Sequence, residues 1–280
     1  MSLAMSAPFW GEIDAMHQFC EAKYEVTPFF AEFWNAVSNI PTFILPGLYG
    51  LWLSRTFDLR ITLEWATFVL IGLGSLMFHA TMRFKWEMMD EVPMFAFVFC
   101  AIVAKEDTHW LLSGRWKLAV RAAAVCIATM GMYLYLVRGE YDMFIYAFTG
   151  IVLLDTVLAL ICAARPDENG SLAAWGCIEV YAVSMTLGRI VWGIEHHFCP
   201  PGDGGVLALL HVLWHGLAGF ACYFGMTADC QIRHAALGIG AAVDEPRRCW
   251  PLLWMVRRRL RRMSHDGESS CYCTNGFKQD

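Results

Sequence analysis

Apolar stretches of near-bilayer length alternate with short polar breaks along this chain. They fall near residues 30–53, 61–82, 90–104, 116–137, 141–164, 172–194 and 206–226, and a helix needs about 20 apolar residues to cross the hydrocarbon. The third run is the shortest, because Asp90 and Glu91 stand at its head. In lipid a helix satisfies its own backbone hydrogen bonds, so the pattern predicts an all-α polytopic membrane protein, a bundle of about seven transmembrane helices. Three parts are expected: a leader over 1–29, the seven-helix domain over 30–227 and a basic tail over 228–280. The opening stretch MSLAMSAPFWGEIDAMHQF lacks the basic start and apolar core of a cleavable signal peptide. No internal repeat is visible.

Composition agrees with this class, since 57% hydrophobic residues and a mean hydropathy of +0.43 exceed what a soluble domain carries. Lysine and arginine set the orientation, because they are held on the cytosolic side of short loops. The tail RRCWPLLWMVRRRLRRM is therefore cytosolic, and seven crossings put the amino terminus in the lumen or outside. Arg55, Arg60, Lys105, Arg115, Lys117 and Arg165 then face the cytosol, against Lys23, Arg83, Lys85 and Arg138 on the other side. The formal net charge of -5 averages an acidic leader with that tail. The tail meets either anionic membrane lipid or solvent. Nothing resembles a nucleic-acid module, and no obligate protein partner is evident. Among 11 cysteines, most lie in apolar spans as packing residues. Cys20 and Cys199 lie in lumenal segments, where oxidation is permitted, and are expected to form a disulfide. Cys271 and Cys273 in the tail are either palmitoylated or free thiols.

The stretch LLHVLWHGLAG changes the picture, because His211 and His215 share one helix face at a spacing of four. Taken alone, the pair suits either a metal or hydrogen bonding between helices in lipid. A third imidazole, His79, stands in another apolar run, with Ser75 four residues before it on the same face. Asp90 or Glu91 must enter the membrane at the head of the third run, and intramembrane ionisable groups are functional candidates. The topology puts His79, Asp90, His211 and His215 near the same lumenal boundary. Three histidines with an open position suit catalytic rather than structural zinc, with Asp90 placed to accept the proton of a water. Ser75 either hydrogen-bonds a developing oxyanion or bonds its own backbone. Glu195 and Trp192 are either head-group contacts or interfacial residues. Asp155, paired with Arg121, and also Glu179 and Arg189 are read as structural.

At this point GSLMFHATMRFKWEMMDEVPM and the downstream HVLWHGLAG resemble the alkaline ceramidase family, part of a superfamily of seven-span hydrolases and adiponectin-type receptors. The leader FCEAKYEVTPFFAEFWNAVSN at 19–39 and VWGIEHHFC at 191–199 are similar to that family's other motifs. The resemblance extends from about Phe19 to about Gly219. It implies hydrolysis of ceramide to sphingosine and a free fatty acid, in sphingolipid catabolism, with zinc held by His79, His211 and His215. It also implies Asp90 as the residue handling the water proton and Ser75 as a carbonyl contact. An endoplasmic reticulum or Golgi membrane is the expected location, with the active site near the lumenal side. An apolar cavity taking both chains of a ceramide is expected, and 12 Trp and 15 Met suit an adaptable lining.

The resemblance also implies a calcium ion in the leader, and here the chain departs from the pattern. Gln18, Ala22 and Lys23 replace three of the usual ligand positions, leaving Glu21, Glu32 and the Phe19 carbonyl. Calcium takes six to eight oxygens, whereas an ammonium can stand in a cation's place. Lys23 is expected to pair with Glu21 and Glu32 and to make activity independent of calcium; Glu12 or Asp14 are alternative ligands of a shifted loop. Two other functions remain open from sequence: a zinc-containing lipid-sensing receptor or catalytically silent relative, and a hydrolase acting on another lipid. No H-E-x-x-H motif of soluble zinc peptidases occurs.

Overall fold

The structure, a computed structural model, describes residues 8–55, 58–164 and 171–236. Among these residues no strand forms, and the chain is a bundle of eight α-helices: α1 (Phe33–Asn39), α2 (Leu45–Ser54), α3 (Leu59–Thr81), α4 (Phe84–Ala104), α5 (Gly114–Arg138), α6 (Tyr141–Ala163), α7 (Ser171–Phe198) and α8 (Leu209–Ala236). A π-helical turn, Ile40–Ile44, joins α1 to α2, so the first apolar run is one continuous span, Phe33–Ser54. With that span and α3, α5, α6, α7 and α8, six helical segments are long and apolar enough to cross a membrane, and the chain is an integral membrane protein. α4 has similar length, 21 residues, but its first two turns carry Lys85, Glu87, Asp90 and Glu91. It begins six residues before the apolar run does, so Asp90 lies inside the helix rather than opening it. α8 likewise continues past Met226 to Ala236. The tail cysteines Cys271 and Cys273 lie outside the described residues.

α3 packs along α4, α5 along α6 and α7 along α8. Two of the approaches are unusually close and share one device. Pro93 inside α4 cannot donate to the carbonyl of Met89, and Pro46 at the start of α2 cannot donate to that of Thr42. A glycine of a neighbouring helix lies against each carbonyl. A Cβ added at Gly74 of α3 would sit 1.9 Å from the Met89 oxygen, and one at Gly219 of α8 would sit 2.6 Å from the Thr42 oxygen. The first contact sets Ser75 beside Asp90; the second sets α8, one turn beyond His215, against the first span.

The leader folds back over one end of the bundle and is tied there by backbone bonds. Ala31 N–H donates to the Ala80 carbonyl and Glu32 N–H to the His79 carbonyl, both at 2.9 Å, which satisfies groups that the last turn of α3 leaves without helical partners. Met82, in the left-handed region at φ 48°, ends α3 and turns its carbonyl to the N–H groups of Asp14 and Ala15. Carboxylates hold the rest. Glu87 accepts the N–H groups of Met16 and His17 at 2.7 Å each, and Glu21 accepts those of Trp34 and Asn35 at 2.7 and 2.8 Å. Glu21 thus caps α1 from 12 residues before its first helical position. A Cys20–Cys199 disulfide and bonds from Gly202 and Gly204 to the carbonyls of Phe19 and Cys20 fasten the leader to the loop before α8.

At the opposite end, Lys105 at the close of α4 is buried between Asp155 of α6 (2.9 Å) and Asp229 of α8 (2.7 Å). This corrects the expected Asp155–Arg121 pair: Arg121 lies on Glu106 instead. Lys105 reaches inward from a helix end that faces the bundle axis, while Arg121 starts from the half-exposed side of α5.

Because the atoms that would meet a new methyl at Gly74 are backbone, Gly74→Ala should destabilise by at least the ~1–3 kcal/mol typical of overpacking. Thermal unfolding in detergent checks this, and an unchanged midpoint would mean that α3 and α4 are not so closely packed.

Candidate metal centre

His79, near the end of α3, and His211 and His215, in the first two turns of α8, meet under the leader. Candidate ligand atoms from all three rings lie within 4.8 Å of one another, and the side chains are buried. Each ring is held by its Nδ1. That of His79 lies 2.6 Å from Glu32 Oε2, that of His211 2.9 Å from Glu195 Oε2 and that of His215 2.8 Å from Ser38 Oγ. A carboxylate only accepts, so the first two Nδ1 atoms carry hydrogen. Ser38 spends its single hydroxyl proton on the Asn35 carbonyl, 2.8 Å away, so it too accepts from the ring. All three Nε2 atoms therefore keep their lone pairs, and that of His79 is buried with no partner in the protein. Three buried imidazoles with candidate ligand atoms this close and their Nδ1 atoms engaged fit a divalent metal, and Nδ1 acceptors of this kind orient such ligands.

The sequence reading reached the three rings but not their supports. Ser38 went unremarked, and Glu195 was weighed only as a head-group contact or an interfacial carboxylate. It has two partners, His211 and the N–H of Cys20 at 3.2 Å. Their signal in the sequence was faint, since one lies 177 residues before His215 and the other 16 before His211.

Glu32 has a further partner. Its second oxygen receives the ammonium of Lys23, which also donates to the carbonyls of Phe19 (2.9 Å) and Glu21 (3.0 Å). The oxygens considered for calcium thus surround a lysine, and Glu21 contributes its carbonyl rather than its carboxylate. Asp14 is engaged elsewhere, with Arg83 and the N–H of Phe84. Gln18 lines a polar hollow outside Phe19, and Ala22 packs toward Gly204. This donor set does not fit calcium. Burial alone would raise the Glu32 carboxyl, yet His79 and Lys23 outweigh it and hold the group well below the usual carboxylate range. In the same hollow, burial and then the neighbouring His196 hold the His17 imidazole down at about 3, so it stays neutral; it stacks on Tyr141 at 3.8 Å.

A cavity opens from the centre between α3, α4, α6, α7 and α8. Ser75, Asp90, His211 and His215 stand in its wall, with aromatic and aliphatic side chains such as Phe43, Phe97, Phe144 and Trp214 making up most of the rest. Ser75 lies within hydrogen-bonding reach of Asp90. Arg189 lines this cavity too, its guanidinium 4.4 Å from the Trp192 ring centroid. That corrects its reading as a purely structural charge: its long side chain carries the charge along α7 toward Gly193, so residue position understated its reach.

Fold and site define an integral membrane protein in which a buried three-histidine centre, competent for a metal, faces an apolar cavity. The family model for ceramidases matches residues 11–255, and the chain belongs to this family. It is 25% identical over 266 residues to alkaline ceramidase 3 of Mus musculus, covering 90% of this chain and 96% of the relative. Alkaline ceramidase of Arabidopsis thaliana is 26% identical over 228 residues, 78% of this chain and 84% of that one. Alkaline ceramidase YPC1 of Saccharomyces cerevisiae is 24% identical over 255 residues, 82% and 80%. The family match reaches beyond both ends of the motifs read from sequence.

If the Nδ1 acceptors fix the rings for a metal, Glu195→Gln should weaken metal retention by about 10–100-fold. Chelator competition on purified protein measures this, and retention equal to wild type would remove Glu195 from that role.

Proposed function

We propose that this chain is a zinc-dependent amidase that works within the membrane, hydrolysing ceramide to a sphingoid base and a free fatty acid. The observation that carries the proposal is a cluster of three buried histidines, two of which line one apolar cavity with Asp90 and Ser75, in a chain of the ceramidase family. His79, His211 and His215 would hold the zinc ion. When bound, zinc supplies Lewis acidity to a water and to a carbonyl.

The residues of the chain supply the rest. Asp90 takes a proton from the water that attacks the amide carbon, and returns it to the nitrogen as the C–N bond breaks, so the amine leaves neutral. Ser75 donates a hydrogen bond to the carbonyl oxygen as negative charge grows there. Phe43, Phe97 and Phe144 give the lipid chains an apolar bed, and Phe19, whose ring lies 3.9 Å from that of His211, separates the centre from the polar hollow outside.

A lumenal position for this centre, with α4 as a seventh crossing, is supported by the Cys20–Cys199 disulfide, which belongs in an oxidising compartment. Arg55, Arg60, Lys105, Arg115 and Lys117 at the other end favour the cytosol there. An endoplasmic reticulum or Golgi membrane fits both. Lys23 fills with its own charge the place that a bound cation would take, so activity is independent of calcium.

Purified wild type should hydrolyse fluorescent ceramides and contain zinc. His215→Ala should lose both activity and metal. Asp90→Asn should keep zinc while slowing turnover by about 10²–10⁴-fold, the range for a positioned acid–base group. Zinc-replete wild type with no turnover of any ceramide would defeat the amidase reading. For the leader, adding calcium to chelated, zinc-replete membranes should leave the rate unchanged, and a steep rise would show that Lys23 does not replace the ion.

A further inference from the structure

Two successive residues of α4, Asp90 and Glu91, put carboxyl groups into the cavity wall. Asp90 has Ser75 in reach. Glu91 has nothing comparable: it is 3% exposed, and neither of its carboxyl oxygens has a hydrogen-bond partner. The other buried carboxylates at this end are all engaged. Glu21 caps α1, Glu87 holds the leader and Tyr135, and Glu32 and Glu195 orient imidazoles. Arg189 lines the same cavity, yet Glu91 pairs with no basic group among the described residues. Buried polar groups in native proteins find a partner in the protein, in water or in a ligand. A carboxyl left open in the wall of an otherwise apolar cavity marks where polar atoms of a ligand belong.

We propose that Glu91 is a head-group subsite, whose carboxyl receives a hydrogen bond from a hydroxyl on the amine half of the lipid amide. The proposal rests on the amidase reading and says which amides that centre prefers. Consecutive helical residues are 1.5 Å apart along the axis and turned by about 100°, so Asp90 and Glu91 address neighbouring but different atoms of one substrate. With Asp90 at the scissile amide, Glu91 faces the substituents beside it. In a ceramide these are the two hydroxyls, each on a carbon next to the one that bears nitrogen. The subsite therefore selects N-acyl amines with hydroxyls close to nitrogen over N-acyl alkylamines of equal length without them.

The test is the ratio of kcat/KM for a ceramide to that for an N-acyl alkylamine of matched chain lengths. It is measured with purified full-length wild type, Glu91→Gln and Glu91→Leu, and metal content is determined in each. A ratio within one preparation does not depend on how much of it is folded, and a purely structural role would slow both substrates alike. Wild type should favour the ceramide. Glu91→Leu should lower the ratio by about 10-fold, as expected for losing one hydrogen bond in a buried site, with the fall coming from slower ceramide turnover. Glu91→Gln, with one acceptor oxygen and no charge, should fall between the two. A wild-type ratio in either variant overturns the subsite, and the Gln variant alone decides if the Leu variant does not fold. A metal-loaded wild type that cleaves neither amide would instead defeat the amidase reading itself.

Discussion

Three imidazoles can serve one cation only when each turns an unprotonated nitrogen to the same point, and in this bundle acceptors at Nδ1 leave Nε2 for that role. Glu32, Glu195 and Ser38 approach from three different segments and leave each Nε2 unprotonated. Much of the outer end of the molecule follows from placing these acceptors. Glu32 must lie against the end of α3, so the leader runs antiparallel to its last turn and bonds the carbonyls of His79 and Ala80. Having committed its carboxylate to His79, Glu32 cannot cap α1, and Glu21 does so instead. Lys23 then balances the charge of Glu32 without touching a ring. The leader is thus part of the centre, and the disulfide fixes that part to the loop that precedes His211.

Below the rings, backbone shape sets the distances. Two prolines each remove a helical donor, from the carbonyls of Met89 and Thr42, and in both places a glycine of the adjacent helix fills the gap. These contacts lie next to the working residues: Gly74 precedes Ser75, Met89 precedes Asp90, and Gly219 follows His215 by one turn. Close approach of small residues is how helices associate in lipid, where burial of apolar surface drives nothing. Both approaches hold the walls of the centre close together.

The same logic explains what the sequence alone could reveal. His79, His211 and His215 were legible because an imidazole in an apolar run is costly and needs a reason, and their depth could be counted from the ends of the runs. The all-helical membrane class was legible from run length. The supports were not, because Ser38 and Glu195 are ordinary residues whose roles exist only once distant segments meet. The start of α4 was hidden by its own function: Lys85, Glu87, Asp90 and Glu91 interrupt hydropathy where the helix carries leader contacts and cavity carboxyls. Arg189 and the partner of Asp155 were misread for a related reason. A long side chain carries its charge several ångströms from its Cα, so counting residues along a span locates the backbone and not the charge.

Buried charge is held differently around Lys105 and around the cavity. Lys105 draws Asp155 and Asp229 into a closed set in which the ammonium meets two carboxylates and the Ala101 carbonyl. Breaking such a set leaves an unpaired buried charge, which is costly, so its members read as scaffold. At the other end Tyr24 Oη, Asn35 Oδ1 and Asn39 Oδ1 stay open in the leader and α1, and two more groups stay open at the centre and its cavity: His79 Nε2, facing the other two rings, and the Glu91 carboxyl, facing the cavity. Both lie where the protein has excluded its own donors and acceptors, and both demand a partner from outside the chain. A metal at the first and a lipid head group at the second would supply the partners that Lys105 finds in Asp155 and Asp229.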